Sequence, residues 1–364
     1  MLGLVALGLT TIMIFTLVKN ALKGKQLSAD DTFGGTIDLL IPVTAQSRLH
    51  AAAWKESLLQ FRALSGRLKI HVLMDGHQAT STEWNDLKSQ FPFIEIHPFL
   101  LGDRNHNTNI SSWMINQITP KITADIVIIG DSEIAASEAA FISVGKIVSE
   151  KKSPYLILPQ TAKLSLLGET TAALNPTLAL ASVFGKSKWR RNLSYPLMAL
   201  AQSWIAMPLG LFQELKIPET SEQSWKESMA KRWDSLNQAY HLAFGEKHLK
   251  RFYPSDIKLQ FDELKKDWAF FWKFSSRAGF WIYVITVCLW AFPLLCFYTN
   301  PFASFLSIFL LILYRFFTKI VFQESWGALV LHFVGCIFVV GSLLFWIFEG
   351  LKSRFGTQGP KRIS

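Results

Sequence analysis

The sequence predicts an α/β protein with a mixed, mostly parallel sheet, held between apolar segments at both ends of the chain. Three observations predict it. Short β-branched runs alternate with stretches of helical spacing across residues 30–270. The runs close on turn or acidic residues, as at Pro42, Asp75-Gly76 and Gly130-Asp131. The apolar stretches outside this region are long enough to be membrane segments.

Taken in order, Thr36–Val43 reads as a strand with Pro42 near its end. Leu49–Leu64 has helical spacing, with Trp54, Leu58, Phe61 and Leu64 on one face. Leu68–Met74 is a second strand, running to Asp75, and Thr82–Phe91 a second helix. Phe93–His97 is a third strand, Ile110–Ile118 a third helix, and Ala124–Ile129 a fourth strand. Strands and helices of these lengths imply right-handed crossovers and parallel pairing.

Residues 2–18 carry no charge, and the basic residues Lys19, Lys23 and Lys25 follow them. That order suits an uncleaved anchor with its amino end outside, which puts the following domain in the cytoplasm. Gly279–Tyr298 and Trp326–Phe348 read as spans. Pro301–Phe322 is apolar but contains Arg315 and Lys319. It is either a tilted helix with snorkelling cations or an interfacial or re-entrant piece. Two carboxy-terminal crossings keep Lys352 and Arg354 inside, whereas three put them outside, so two is the preferred count. The expected organisation is an anchor at 1–20, a cytoplasmic domain at 30–265, interfacial and transmembrane helices at 266–350, and a basic tail at 351–364.

The formal net charge of +10 and the 50% hydrophobic content fit the same picture. Lys265, Lys266, Lys273 and Arg277 precede one apolar stretch, and Lys352, Arg354, Lys361 and Arg362 follow another. This is the pattern of a cationic belt facing anionic lipid rather than nucleic acid. The basic aromatic cluster Lys188-Trp189-Arg190-Arg191 lacks a nucleic-acid-binding context. There is no dinucleotide fingerprint, P-loop, nucleophile elbow or HExxH. Neither the three cysteines nor the histidines, among them His71 and His97, show metal-ligand spacing.

The stretch most charged with chemistry is Asp125–Ile134, where a strand ends at Gly130 and Asp131 and Glu133 follow. Carboxylates at the carboxyl end of a strand in an open α/β sheet stand where ligands bind. Two of them can hold a hard divalent cation against phosphates. The bland reading is a solvated turn after a core strand.

Together these features resemble a membrane-anchored family 2 glycosyltransferase of the GT-A fold, nearest to the ceramide glucosyltransferase and hopanoid glycosyltransferase branch. The resemblance rests on the anchor, the strand ending Ile41-Pro42, Asp75 after the second strand, and Asn105, Asn107 and Asn109 before the acidic strand. It rests also on Asp131-Ser132-Glu133 in the place of Asp-x-Asp, and on the carboxy-terminal apolar helices. It implies a Rossmann-like sheet and an inverting, metal-dependent transfer from a nucleotide sugar, a UDP-sugar by preference, to a membrane lipid. The setting would be a bacterial cytoplasmic membrane. Pro42, Val43, Thr44 and Asp75 would surround the nucleotide, and Asp131 and Glu133 would hold Mg²⁺ or Mn²⁺.

The chain departs from the family at two places. Where a base-bearing Asp-Asp-Tyr-x-Leu-Gly is expected, it has Gln238-Ala239-Tyr240-His241-Leu242-Ala243. Neither Gln nor Ala takes a proton. Asp234, one turn earlier on a helix, and His241 are the remaining base candidates, with a structural histidine the bland reading of His241. Where Gln-x-x-Arg-Trp is expected, only Arg277 remains to contact the diphosphate. The same losses also allow a non-catalytic relative that binds lipid, nucleotide sugar or a partner subunit.

Overall fold

The computed structural model describes residues 25–44, 51–61, 66–75, 82–100, 109–161, 203–217, 241–245, 248–252, 257–274, 300–322 and 326–356. It also describes residues 4, 5, 7–12, 15, 64, 225, 226, 229, 232, 280, 281, 284, 285, 287, 288 and 290. The chain divides into two compact units: Lys23–Ala162 with Ala199–Phe252, and Met1–Leu22 with Lys163–Met198 and Tyr253–Ser364.

The first unit is the α/β part. Its strands are β1 (Lys25–Gln26), β2 (Ile37–Val43), β3 (Leu68–Asp75), β4 (Ile94–Phe99), β5 (Ile126–Ile129) and β6 (Ile134–Ala136). They continue with β7 (Tyr155–Leu158), β8 (Gln160–Thr161), β9 (Trp204–Pro208), β10 (His241–Phe244) and β11 (Leu249–Arg251). Its helices are α1 (Ala51–Leu58), α2 (Thr82–Gln90), α3 (Ile110–Ile118), α4 (Glu138–Lys151) and α5 (Leu209–Leu215).

Eight strands form one sheet in the order β1-β10-β7-β9-β5-β2-β3-β4. All neighbours are parallel except at β9, which runs antiparallel to both β5 and β7. The parallel sheet expected from the β-branched runs is therefore present, with one reversed strand inserted. β6, β11 and β8 make a second, three-stranded sheet. β2 and β5 are buried along their whole length, as strands covered on both faces must be. Trp54 of α1 stacks on Trp204 of β9 and meets Trp84 of α2, and this cluster fills one face of the sheet.

β2 and β5 are tied together at their amino ends. Asp125 accepts from the Thr36 backbone N–H at 2.8 Å and from its hydroxyl at 2.9 Å. These bonds, the backbone one foremost, hold the Asp125 carboxyl below the ordinary carboxylate range. A depressed native pKa gives stability that is present above the ordinary value and lost as pH falls through the native one. Asp125→Asn is expected to flatten the acid limb of the stability curve below about pH 4, as checked by melting temperature against pH; an unchanged acid limb would refute the role.

The second unit contains α6 (Ile257–Phe274), α7 (Pro301–Phe322), α8 (Trp326–Val330) and α9 (His332–Gly356). Among the described residues, one stretch, His332–Gly350, is long and apolar enough to cross a membrane, and Pro301–Phe317 is apolar but shorter. Much of 2–18 and 279–298 lies outside the described residues. The described part of the amino-terminal segment is helical, and its Thr10 hydroxyl accepts from the indole N–H of Trp290 at 3.2 Å. Arg315 of α7 is buried in this unit rather than snorkelling outward, next to buried Tyr314. Lys319 caps the ring of Trp326 at 4.1 Å.

Candidate functional site

The acidic pair sits in the turn between β5 and β6. Ile134 N–H closes the turn on Asp131 O at 3.1 Å. The Ser132 carbonyl accepts from the indole of Trp54 at 3.0 Å, so the residue between the two acids is pinned to the core. Gly130 enters the turn against the indole of Trp204, where a Cβ would meet Nε1 at 2.5 Å. Trp204 is buried and stacked and cannot yield. Gly130→Ala is expected to cost about 1–3 kcal/mol, read as a lowered melting temperature; an unshifted melt would contradict this packing.

The strand directions decide which residues share this edge. Leu40 pairs with Ile129, so Pro42 and Val43 run on beside Gly130 and Asp131. Pro42 lies past the end of β5, so its missing N–H costs no ladder bond on that side. Val43 pairs with Met74, which brings the backbone of Thr44 and Asp75 to the same carboxyl edge as Asp131 and Glu133. The nucleotide candidates Pro42, Val43, Thr44 and Asp75 and the acidic pair therefore meet at one sheet edge.

The base candidates do not all follow. His241 opens β10, with its ring 5.1 Å from that of Tyr155. β10 lies three strands from β5, about 14 Å at the usual strand spacing, and His241 is at the amino end of its strand. It stands away from the acidic pair, in a strand rather than on the helix expected there. Alternating Leu242 and Phe244 pair along β7 and explain the strand. Asp234 and Arg277 lie outside the described residues.

Two residues passed over in the sequence complete the site. Lys226 Nζ is 2.6 Å from Asp131 Oδ2 and 3.3 Å from the Ser203 carbonyl. Its side chain is 7% exposed and lies 5.3 Å from the Trp225 ring centre. Burial pulls the Lys226 ammonium below the ordinary lysine value, against the opposing charge of Asp131. Arg251 reaches Glu133 at 3.3 Å. β11 delivers it there, because Arg251 pairs with Ile134 and Phe252 N–H bonds Glu133 O at 2.9 Å. No local spacing marks Lys226 or Arg251, since each is about a hundred residues from its partner.

This arrangement bears on a metal. Both carboxylates already carry a cation of the chain. A divalent ion beside them faces repulsion of roughly 4 kcal/mol per pair of unit charges at 4 Å near a protein surface. The donor set fits Mg²⁺ or Mn²⁺ only in exchange for Lys226 or Arg251. Asp131, 29% exposed, is the more open of the two acids. As it stands the edge presents two guarded cations, the chemistry that receives a phosphate or diphosphate.

No model of a known protein family matches the chain, and no curated protein sequence does. Solved structures with a similar course include the mannosyltransferase PcManGT from Pyrobaculum calidifontis in complex with GDP-Man and Mn²⁺. It is 12% identical with a TM-score of 0.46, and the match covers 96% of this chain and 99% of that one. Residues 1–349 of S. aureus TarS match at 9% identity and a TM-score of 0.39, covering 69% of this chain and 70% of that one. Its complex with UDP matches at 10% identity and a TM-score of 0.38, covering 73% and 74%. These neighbours are glycosyltransferase structures, at a likeness too distant to carry an argument about this chain.

Proposed function

We propose that the chain is an inverting glycosyltransferase that moves a sugar from a nucleotide sugar, a UDP-sugar by preference, to a membrane lipid such as a ceramide or hopanoid. The observation that carries the reading is the pairing of Asp131 with Lys226 and of Glu133 with Arg251 at the carboxyl edge of a mostly parallel sheet. Pro42, Val43, Thr44 and Asp75 stand along that edge as a rim for the nucleotide. In the reaction the acceptor hydroxyl attacks the anomeric carbon, and the bond from that carbon to the diphosphate oxygen breaks with its electron pair. Lys226 and Arg251 receive the charge that grows on the diphosphate. Asp131 and Glu133 hold those two cations in place until the donor arrives. The acceptor proton goes to a base, for which Asp234 is the candidate. A Mg²⁺ or Mn²⁺ held by Asp131 and Glu133 would take the place of Lys226 or Arg251 there and would supply Lewis-acid stabilisation of the same leaving group.

A membrane setting, with the sheet on the cytoplasmic side, is supported by the apolar helices. Phe302, Phe305 and Phe309 on α7 and Val330 and Phe348 further on are exposed. Aromatic and aliphatic surface on this scale marks contact with lipid or a partner. A non-catalytic relative is the second reading, favoured by the locked ion pairs and by the distance of His241 from them.

Nucleotide release tests the proposal. Detergent-solubilised protein receives UDP- and GDP-sugars with a lipid extract, in Mn²⁺ or in a chelator, beside an Arg251→Gln variant. Release by the wild type, reduced at least tenfold in the variant, is the expected result. Donor binding without release from either protein selects the non-catalytic reading, and absence of both defeats the assignment.

A further inference from the structure

A second group of polar side chains lies away from the acidic pair, on the middle of β3 and β4. His71 pairs with Glu95 and Leu73 with His97, so His71, Glu95 and His97 project from one face of two adjacent strands. It is the face opposite the core lined by Ile70, Val72, Met74 and Ile94. Phe99, two residues beyond His97, packs against Trp113 of α3. His71 is 3% exposed, while the side chains of His97 and Glu95 are 18% and 45% exposed, so the group opens to solvent from a buried base.

Three ligand-type atoms converge here. His71 Nδ1 and His97 Nε2 are 3.0 Å apart, and Glu95 Oε2 is 3.6 Å from the first and 3.7 Å from the second. A tetrahedral ion with bonds of about 2.1 Å has ligand atoms about 3.4 Å apart. Two sides of the triangle are near that size and the third is the hydrogen-bond contact between the rings, while Glu95 makes no hydrogen bond to either ring. Lys69 takes the other carboxylate oxygen, Oε1, at 3.8 Å.

Proton placement makes the same point. His71 Nε2 lies 3.4 Å from Oδ1 of buried Asp38 and makes no hydrogen bond. A neutral imidazole has one N–H and one lone pair. If Nδ1 carries the proton, it donates to His97 Nε2 at 3.0 Å and the lone pair of Nε2 faces Asp38. If Nε2 carries it, that N–H points at Asp38 and the lone pair of Nδ1 is directed at His97 Nε2. The second tautomer keeps a lone pair on Nδ1 with the Asp38 carboxylate behind the ring.

We propose that His71 Nδ1, His97 Nε2 and Glu95 Oε2 form a site for a divalent transition metal, zinc by ligand type. Asp38 orients His71 from behind. Two imidazoles and one carboxylate are a zinc donor set that leaves the fourth position for water. A carboxylate behind the ligating imidazole fixes its tautomer. The site bridges the edge strand β4 to β3, so the ion clips the sheet edge.

The test uses the full chain in detergent, stripped with a chelator. Zn²⁺ is titrated against a chromophoric chelator, Co²⁺ replaces it for visible spectroscopy, and melting is followed with and without Zn²⁺. Expected are one Zn²⁺ per chain, tetrahedral Co²⁺ bands and a higher melting temperature. Glu95→Gln and His97→Ala, both at partly buried positions, should weaken binding at least tenfold and abolish the bands. Asp38→Asn should weaken it about ten- to a hundredfold. Absence of a stoichiometric site overturns the proposal and leaves the cluster as a His71–His97 hydrogen bond. Binding that survives both ligand variants overturns it as well.

Discussion

Asp131→Ala is expected to destabilise the α/β unit by about 3–5 kcal/mol at neutral pH, because it leaves a buried ammonium without its counter-ion. Lys226 would be left with the Ser203 carbonyl and the face of Trp225. The sign of the pH dependence follows from burial. Lys226 already titrates below the ordinary lysine value, and loss of Asp131 lowers it further. Between its native pKa and about 10.4, the unfolded chain binds the extra proton, so stability of the variant rises with pH across that window. Lys226→Met added to Asp131→Ala should recover most of the loss, since a buried pair replaced by apolar groups is close to neutral. Thermal or denaturant unfolding from pH 7 to 10 reads both. A loss under 1 kcal/mol, or one that does not vary with pH, contradicts the buried pair.

The second large effect is expected at Trp54. It is 1% exposed, stacks on Trp204 with ring centres 6.4 Å apart, and donates to the Ser132 carbonyl. Trp54→Ala should cost about 3–5 kcal/mol through the cavity alone. Trp54→Phe keeps much of the packing and loses the hydrogen bond, about 1 kcal/mol. The two variants separate structure from site. If Ser132 is held by the indole, Trp54→Phe should weaken nucleotide-sugar binding more than its small stability loss suggests. Unchanged donor affinity in a well-folded Trp54→Phe would show that the turn needs no such tether.

The strands from Thr36 to Ile129 are legible in the sequence because each run is β-branched and closed by Pro, Gly or Asp, and because parallel strands bury both faces, whereas the helix expected at Leu49–Leu64 runs only Ala51–Leu58 and the short strand Lys25–Gln26 was not expected. Thr36–Val43, Leu68–Met74, Phe93–His97 and Ala124–Ile129 all fall on strands within about two residues. Beyond Glu133 the signal fades for physical reasons. β6 and β11 have three residues each, and their pairing joins Ile134 to Arg251, a contact no local pattern encodes. β9 reads as an ordinary apolar run, and nothing in Trp204–Pro208 states that it runs antiparallel. The acidic pair was visible, but its neutralisation was not, since Lys226 is one lysine of an unremarkable segment. The histidine group was nearly visible. Glu95 and His97 alternate onto one face of a strand, but His71 joins them only through cross-strand register. Arg315 shows the opposite error, a cation expected at an interface that folds into the helical unit.

The central claim is that the edge carrying Asp131, Glu133, Lys226 and Arg251 binds the diphosphate of a nucleotide sugar. Calorimetric titration of the detergent-solubilised full chain with UDP- and GDP-sugars, with and without Mn²⁺, tests it most directly. Saturable binding that weakens at least tenfold in Arg251→Gln, with the melting temperature of the variant retained, is the predicted result. Affinity identical in wild type and Arg251→Gln, or no binding of any donor to the folded wild type in either condition, would contradict it.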